Sequence, residues 1–132
     1  MGFKQATTMI GNAANFEQVP ATAGESYTLG EALVLSGGAA TKCGATAMPE
    51  FICQQQLSGA GAGDQLAVTR VSELQELETT LSAAGTALKI GDKVTLHTDG
   101  EQVTATTASG VFMISAILDT AVGGKVRGYF RR

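Results

Sequence analysis

Residues 88–107 read LKIGDKVTLHTDGEQVTATT, and the fold class turns on them. Val94 and Leu96 alternate with Lys93, Thr95 and His97, which is the period of two of a half-buried strand. Asp99-Gly100 follows. That dipeptide signals a two-residue hairpin, because a type I′ turn requires positive φ at both central residues. Downstream, GVFMISAIL (110–118) is the continuous apolar run of a buried strand, AVGG (121–124) is a turn, and KVRGYFRR (125–132) is a final strand. Upstream, Tyr27–Ser36 is a short apolar run closed by Gly37-Gly38, and QLAVTRV (65–71) is strand-like. Turn signals recur about every 8–12 residues, so the sequence predicts an all-β fold, a small antiparallel sandwich or barrel.

One segment admits two readings. In VSELQELETTLSAAG (71–85), Val71, Leu74, Leu77 and Leu81 fit a helical period. Ser72 with Gln75 could form a capping box and Gly85 a C-terminal cap. Leu77, Thr79 and Leu81 also alternate, which suits a strand.

Composition narrows the function. The chain has 132 residues, enough for one domain, with 44% apolar and 16% charged residues, 17 Gly and no Trp. The net charge is −3, so there is no broad basic field for nucleic acid. Lys125, Arg127, Arg131 and Arg132 form a basic C-terminal cluster, read as a charged last strand and a solvated end. No run approaches the length of a membrane span, and no apolar signal segment follows Lys4. The expected place of synthesis is a cytoplasm.

Candidate chemistry is sparse. His97 is the single histidine and Asp99 lies two residues away. A hydrolytic triad would have to use them, and a turn histidine is the plainer reading. Asp92, Asp99 and Glu101 lack calcium-loop spacing, and one His with two Cys makes no zinc site. SGAGAGD (58–64) resembles a phosphate loop but lacks the Lys and the following helix. GDKV also occurs in biotinyl and lipoyl carrier domains, yet the candidate tip AMPE carries Pro49 where the modified lysine would stand. No metal, cofactor or catalytic residue is expected.

Cys43 and Cys53 fall in TKCGATAMPEFICQQQL (41–57). A hairpin turning at 47–49 would set them opposite each other, within disulfide reach. They are therefore expected to be neighbours, with their oxidation state left open. Residues 1–25 read as an extended N-terminal arm ahead of a single β domain at 26–132. The arm is rich in Gly, Asn and large apolar residues and has no sustained period.

The stretch from Glu76 through ETTLSAAGTALKIGDKVTLHTDG, VTATT, GVFMISAIL and AVGGKVRGYF resembles the C-terminal part of tailed-phage head decoration (capsid cement) proteins. GEALVLSGGAATKCGATAMPEFI resembles the earlier half more loosely, and together the likeness covers about residues 24–130. It favours strand for 72–84. It implies a β-tulip fold, no active site, and assembly as homotrimers, with dimers as the alternative. It further implies binding to the major capsid protein on the exterior of a virion made in a bacterial host, without nucleic acid, membrane or cofactor. On that reading Phe3, Met9, Ile10 and Phe16 are the candidate capsid contacts, and removing residues 2–20 would leave the domain folded. A small adhesion or glycan-binding β module is the alternative function.

Overall fold

The computed structural model describes residues 2–8 and 16–131, the side chains of 6–8 excepted. Among the described residues there are ten strands: β1 (Lys4–Thr8), β2 (Phe16–Pro20), β3 (Ala32–Ser36), β4 (Ala39–Lys42), β5 (Phe51–Cys53), β6 (Gln65–Arg70), β7 (Gln75–Thr80), β8 (Lys93–Val94), β9 (Phe112–Ile117) and β10 (Lys125–Phe130). They form two five-stranded sheets, ordered β1-β7-β10-β9-β8 and β2-β6-β5-β3-β4. Every strand pair is antiparallel. The sheets pack as a sandwich. Neither closes into a barrel, although single bridges draw edges together, Ala21 to Ala40 in the second sheet and Val103 to both Leu81 and Leu96 in the first.

The core between the sheets takes Leu77, Phe112, Ile114, Val126 and Phe130 from the first sheet and Ala32 and Ile52 from the second. The second sheet is apolar on both faces. Leu33, Phe51, Cys53, Leu66 and Val68 point the other way, into a separate cluster with Tyr27 and Ala60. Segments 24–27 and 57–60 cover that face, held by paired Tyr27–Leu57 backbone bonds of 2.7 and 3.0 Å. Tyr27 reaches through the cluster, and its hydroxyl donates to the Ala40 carbonyl at 2.7 Å. This double burial explains why β3 and β5 read as short apolar runs without a polar face.

The ambiguous segment is strand β7, central enough to pair with β1 on one side and β10 on the other. Tertiary pairing outweighs the helical spacing, because Leu77 and Thr79 must face the core while Glu76 and Glu78 do not share it. Gly128 in β10 has a steric reason: a Cβ there would fall on the Met113 carbonyl oxygen and the Phe112 ring.

Three expectations are corrected. The described part of the N-terminal 25 residues is not an arm beside the domain. β1 and β2 are edge strands, one in each sheet, and Phe3 is core, 2% exposed. Removing residues 2–20 would strip both sheets. Cys43 and Cys53 are not opposed, because β3 lies between β4 and β5. Cys43 sits across from Ala32 and its partner-side neighbour is Ile52, while Cys53 bonds beside Glu31. Two strand spacings separate them by about 10 Å, beyond disulfide reach, and they belong to different clusters as free thiols. The loop after β4 crosses β3 rather than folding back. Finally, the Asp99-Gly100 turn is not type I′. Gly100 has φ +73°, and Asp99 is not among the positive-φ residues. The Gly100 N–H donates to the His97 carbonyl at 3.0 Å and the His97 N–H to the Gln102 carbonyl, which makes a longer loop built around one β-turn.

Candidate functional site

Of the four candidate contact residues, the two that are described, Phe3 and Phe16, line one cavity from opposite sheets. Phe3 packs edge-on against Phe112, centroids 5.7 Å apart, and tilted against Phe130 at 5.2 Å. It is held there by its N–H bond to the Gly30 carbonyl at 2.9 Å. Gly2 (φ +97°) and Gly30 (φ +88°) meet backbone to backbone at this point, with no room for a Cβ on either. Met9 and Ile10 lie outside the described residues. Phe16 opens β2 and is 74% exposed.

Phe16 stands at the mouth of a cavity of about 790 Å³ at the seam between the sheets. Phe3, Leu29, Ile52 and Leu77 give it apolar walls. Gln54, Thr69, Gln75 and Thr79 add polar groups, and Lys4, Glu78 and Lys125 stand around it. Glu78 is gripped by Lys4 at 3.1 Å and Arg127 at 3.0 Å. The Arg127 and Lys4 hydrogen bonds hold its carboxyl below the usual carboxylate range against the opposing effect of burial. Gln75 is 3% exposed, and its Oε1 accepts no hydrogen bond. Its Nε2 reaches Gln5 at 3.4 Å. Sequence reading missed this cavity, because its walls come from both sheets and both ends of the chain.

The His97 region is a turn organised around its own carboxylate. Asp99 accepts from the Glu101 N–H at 2.8 Å and from Gln102 Nε2 at 2.9 Å, with His97 Nδ1 at 3.3 Å from Oδ1. Partial burial pushes the Asp99 carboxyl up, but the bonds from Gln102 and Glu101, with His97 beside it, outweigh this and lower it. Glu31, only 2% exposed, lies near this turn and accepts from the Thr28 N–H at 3.2 Å, while its Oε2 has no partner. Burial raises its pKa, opposed by that bond and by Lys42.

The remaining candidates are tied into the fold. Burial, with Glu50 nearby, pushes the Cys43 thiol up to about 11, and its Sγ lies 3.2 Å from the Ala47 carbonyl. A thiol so disposed is a poor nucleophile. In the glycine loop, Asp64 accepts the Gly61 N–H at 2.8 Å, so a backbone donor that a phosphate would need is already used. At the basic C-terminus, Arg127 serves Glu78 and Arg131 stacks on Tyr129 at 4.9 Å. Among the described residues no group of three or more His, Cys, Asp or Glu is arranged to hold a metal ion.

No family model matches the sequence, and no curated protein matches it.

Proposed function

We propose that the chain is a structural protein of a phage head. It binds the outer surface of an icosahedral capsid and clamps neighbouring major capsid subunits against internal pressure. The observation that supports this most is the ordered series of strand and turn motifs from Glu76 to Phe130, which resembles decoration proteins and corresponds to β7 through β10. The all-β sandwich is compatible with the β-tulip fold of that family, and with the trimer, or dimer, in which its members act. Adhesion is also favoured by the surface. Among the exposed large apolar side chains, Phe16 and Leu29 share the lining of one cavity, an apolar feature that suits a protein partner. Affinity need not be high. A Kd near 1 μM corresponds to about 8 kcal/mol, and repetition over a shell multiplies the effect.

The test is co-sedimentation of the full chain with undecorated capsids assembled from the major capsid protein of the same genome. The expected result is saturation near one copy per capsid subunit. A stable monomer that leaves such shells bare would reject the reading and favour the adhesion or glycan-binding module.

A further inference from the structure

Glu31 and Glu78 are the two buried carboxylates among the described residues, 2% and 7% exposed. Glu78 has Lys4 and Arg127 upon it. Glu31 forms no ion pair among the described residues. Its Oε1 accepts the Thr28 N–H at 3.2 Å, and its Oε2 has no partner. A bare buried oxygen costs far more on a carboxylate than on a neutral acid. The charged groups facing Glu31 do not remove that cost. Lys42 of β4 attracts it, while Glu25 from segment 24–27 and Glu101 from the 97–102 turn repel it. Glu25 is itself engaged by the Thr41 hydroxyl at 2.9 Å and the Lys42 N–H at 3.2 Å. On the β5 side, Cys53 gives its N–H to the Glu31 carbonyl and turns its thiol to the Gln55 carbonyl.

The cover over Glu31 is the 97–102 turn. A Cβ added at Gly100 would stand 3.2 Å from both the Glu31 and the Lys42 Cγ, so the turn lies directly on these two stems. Internally the turn is stapled, by Asp99 to the Glu101 N–H and Gln102 Nε2 and by the Gly100 and His97 N–H groups. Its outward ties are lighter. The Gly100 carbonyl accepts the Ala32 N–H at 2.8 Å, and the Thr79 and Thr80 hydroxyls reach the Glu101 carbonyl at 2.8 Å and Gln102 Oε1 at 3.2 Å. Leu96 and Val103, both buried, bridge at its base. The turn can therefore lift as a unit from that base.

We propose that Glu31 is a proton latch for the 97–102 turn: as the neutral acid it lets the turn lie closed against β3, and on ionising it opens the turn to admit water to its carboxylate. Opening also carries Glu101 away from the like charge. His97 stays in the turn's own pair with Asp99 at 3.3 Å, so its protonation acts on Asp99 and not on the latch. The sign follows from burial, which raises the Glu31 pKa. The closed form holds the proton, so the turn is closed in acid and opens as pH rises through the folded value, by at most about tenfold per pH unit.

The test is hydrogen exchange of the Ala32 amide, whose acceptor is Gly100, followed by NMR on the full chain from pH 4.5 to 7.5 and corrected for base catalysis. Its protection is expected to fall at least tenfold, and the Gly100 and Glu101 amide shifts should share one midpoint with the Glu31 side-chain carboxyl carbon. In Glu31→Gln, which is always neutral, protection should change less than twofold over the same range. Amides of the β9–β10 ladder should stay protected throughout, which also verifies that the variant is folded. The parent's own profile tests the latch without any variant: constant Ala32 protection overturns it. So does an equal fall in Glu31→Gln, or a fall shared by the β9–β10 amides, which would be global loosening.

Discussion

β1 and β2 come from the same apolar stretch of sequence, and each begins beside a phenylalanine, yet they do opposite things. Phe3, just before β1, is 2% exposed and completes a three-ring cluster with Phe112 and Phe130, whose own centroids are 5.1 Å apart. Phe16, at the start of β2, is 74% exposed. Both strands are sheet edges. The difference lies in what seats them. Phe3 is carried inward by the Gly2–Gly30 contact and its bond to Gly30. β2 buries Val19 on the far face of its sheet, while Phe16, of opposite parity, shares the face of Thr69 and Ile52 toward the first sheet but stands at the cavity on the sheet's edge, with little packed over it. Residue type alone thus says little about an edge strand. What the opposite sheet lays over the position decides whether an aromatic on a core-facing parity is buried.

The sharpest way to break this comparison is Phe3→Ala. Deleting a fully packed ring costs about 3–5 kcal/mol, and here it leaves Phe112 and Phe130 facing a void. A large fall in the denaturation midpoint at unchanged denaturant slope is expected in urea unfolding. A loss below about 1 kcal/mol would mean that β1 is not seated as described.

The clasp that holds β1 down is the next largest effect. Glu78 binds Lys4 from β1 and Arg127 from β10 across a mostly covered carboxylate. Glu78→Gln is expected to cost about 1–2 kcal/mol at neutral pH, since bonds to charged groups exceed neutral ones, while the exposure of Lys4 limits the gain. The Glu78 pKa is lowered on folding. Its contribution is therefore present above the unfolded carboxylate value and is lost as pH falls through the folded value. Thermal melts across pH 3–7 should show the variant and the parent converging in acid.

Glu31 should do the reverse. Its pKa is raised by burial, so the folded state holds the proton more tightly than the unfolded chain. Stability from this group is present below the unfolded value and declines as pH rises through the folded one. The stability of Glu31→Gln relative to the parent should improve from pH 4 to 7, with a slope no steeper than about 1.4 kcal/mol per pH unit. A flat difference would mean that Glu31 titrates normally.

Much of this architecture was legible in sequence. β9 and β10 fall within the segments read as the buried run at 110–118 and the closing strand, while of the alternating run around Val94 only Lys93–Val94 is strand and Leu96 makes a single bridge. What was not legible depended on partners distant in sequence. The helix-or-strand ambiguity of 72–84 is resolved by β1 and β10, which pair with Gln75–Thr80 from the two ends of the chain. The cysteine expectation failed because a hairpin rule assumes that consecutive strands are neighbours, and the loop before β5 instead crosses β3. Gln75 offered no signal as a cavity residue. Its unpartnered oxygen exists only once the sheets are stacked.

The smallest stability effect is expected at Phe16, and it completes the contrast with Phe3. A ring that is 74% exposed gives up little transfer energy when truncated, and surface substitutions of this kind fall within about 0.5 kcal/mol. The β2–β6 bonds, including the Glu17–Arg70 clasp at 2.9 Å, do not depend on it. Phe16→Ala should therefore melt with the parent. A destabilisation comparable to that of Phe3→Ala would place Phe16 in the core. Equal stability would leave Phe3 as the ring that holds the sheets together and Phe16 as a ring that the stacked sheets do not need.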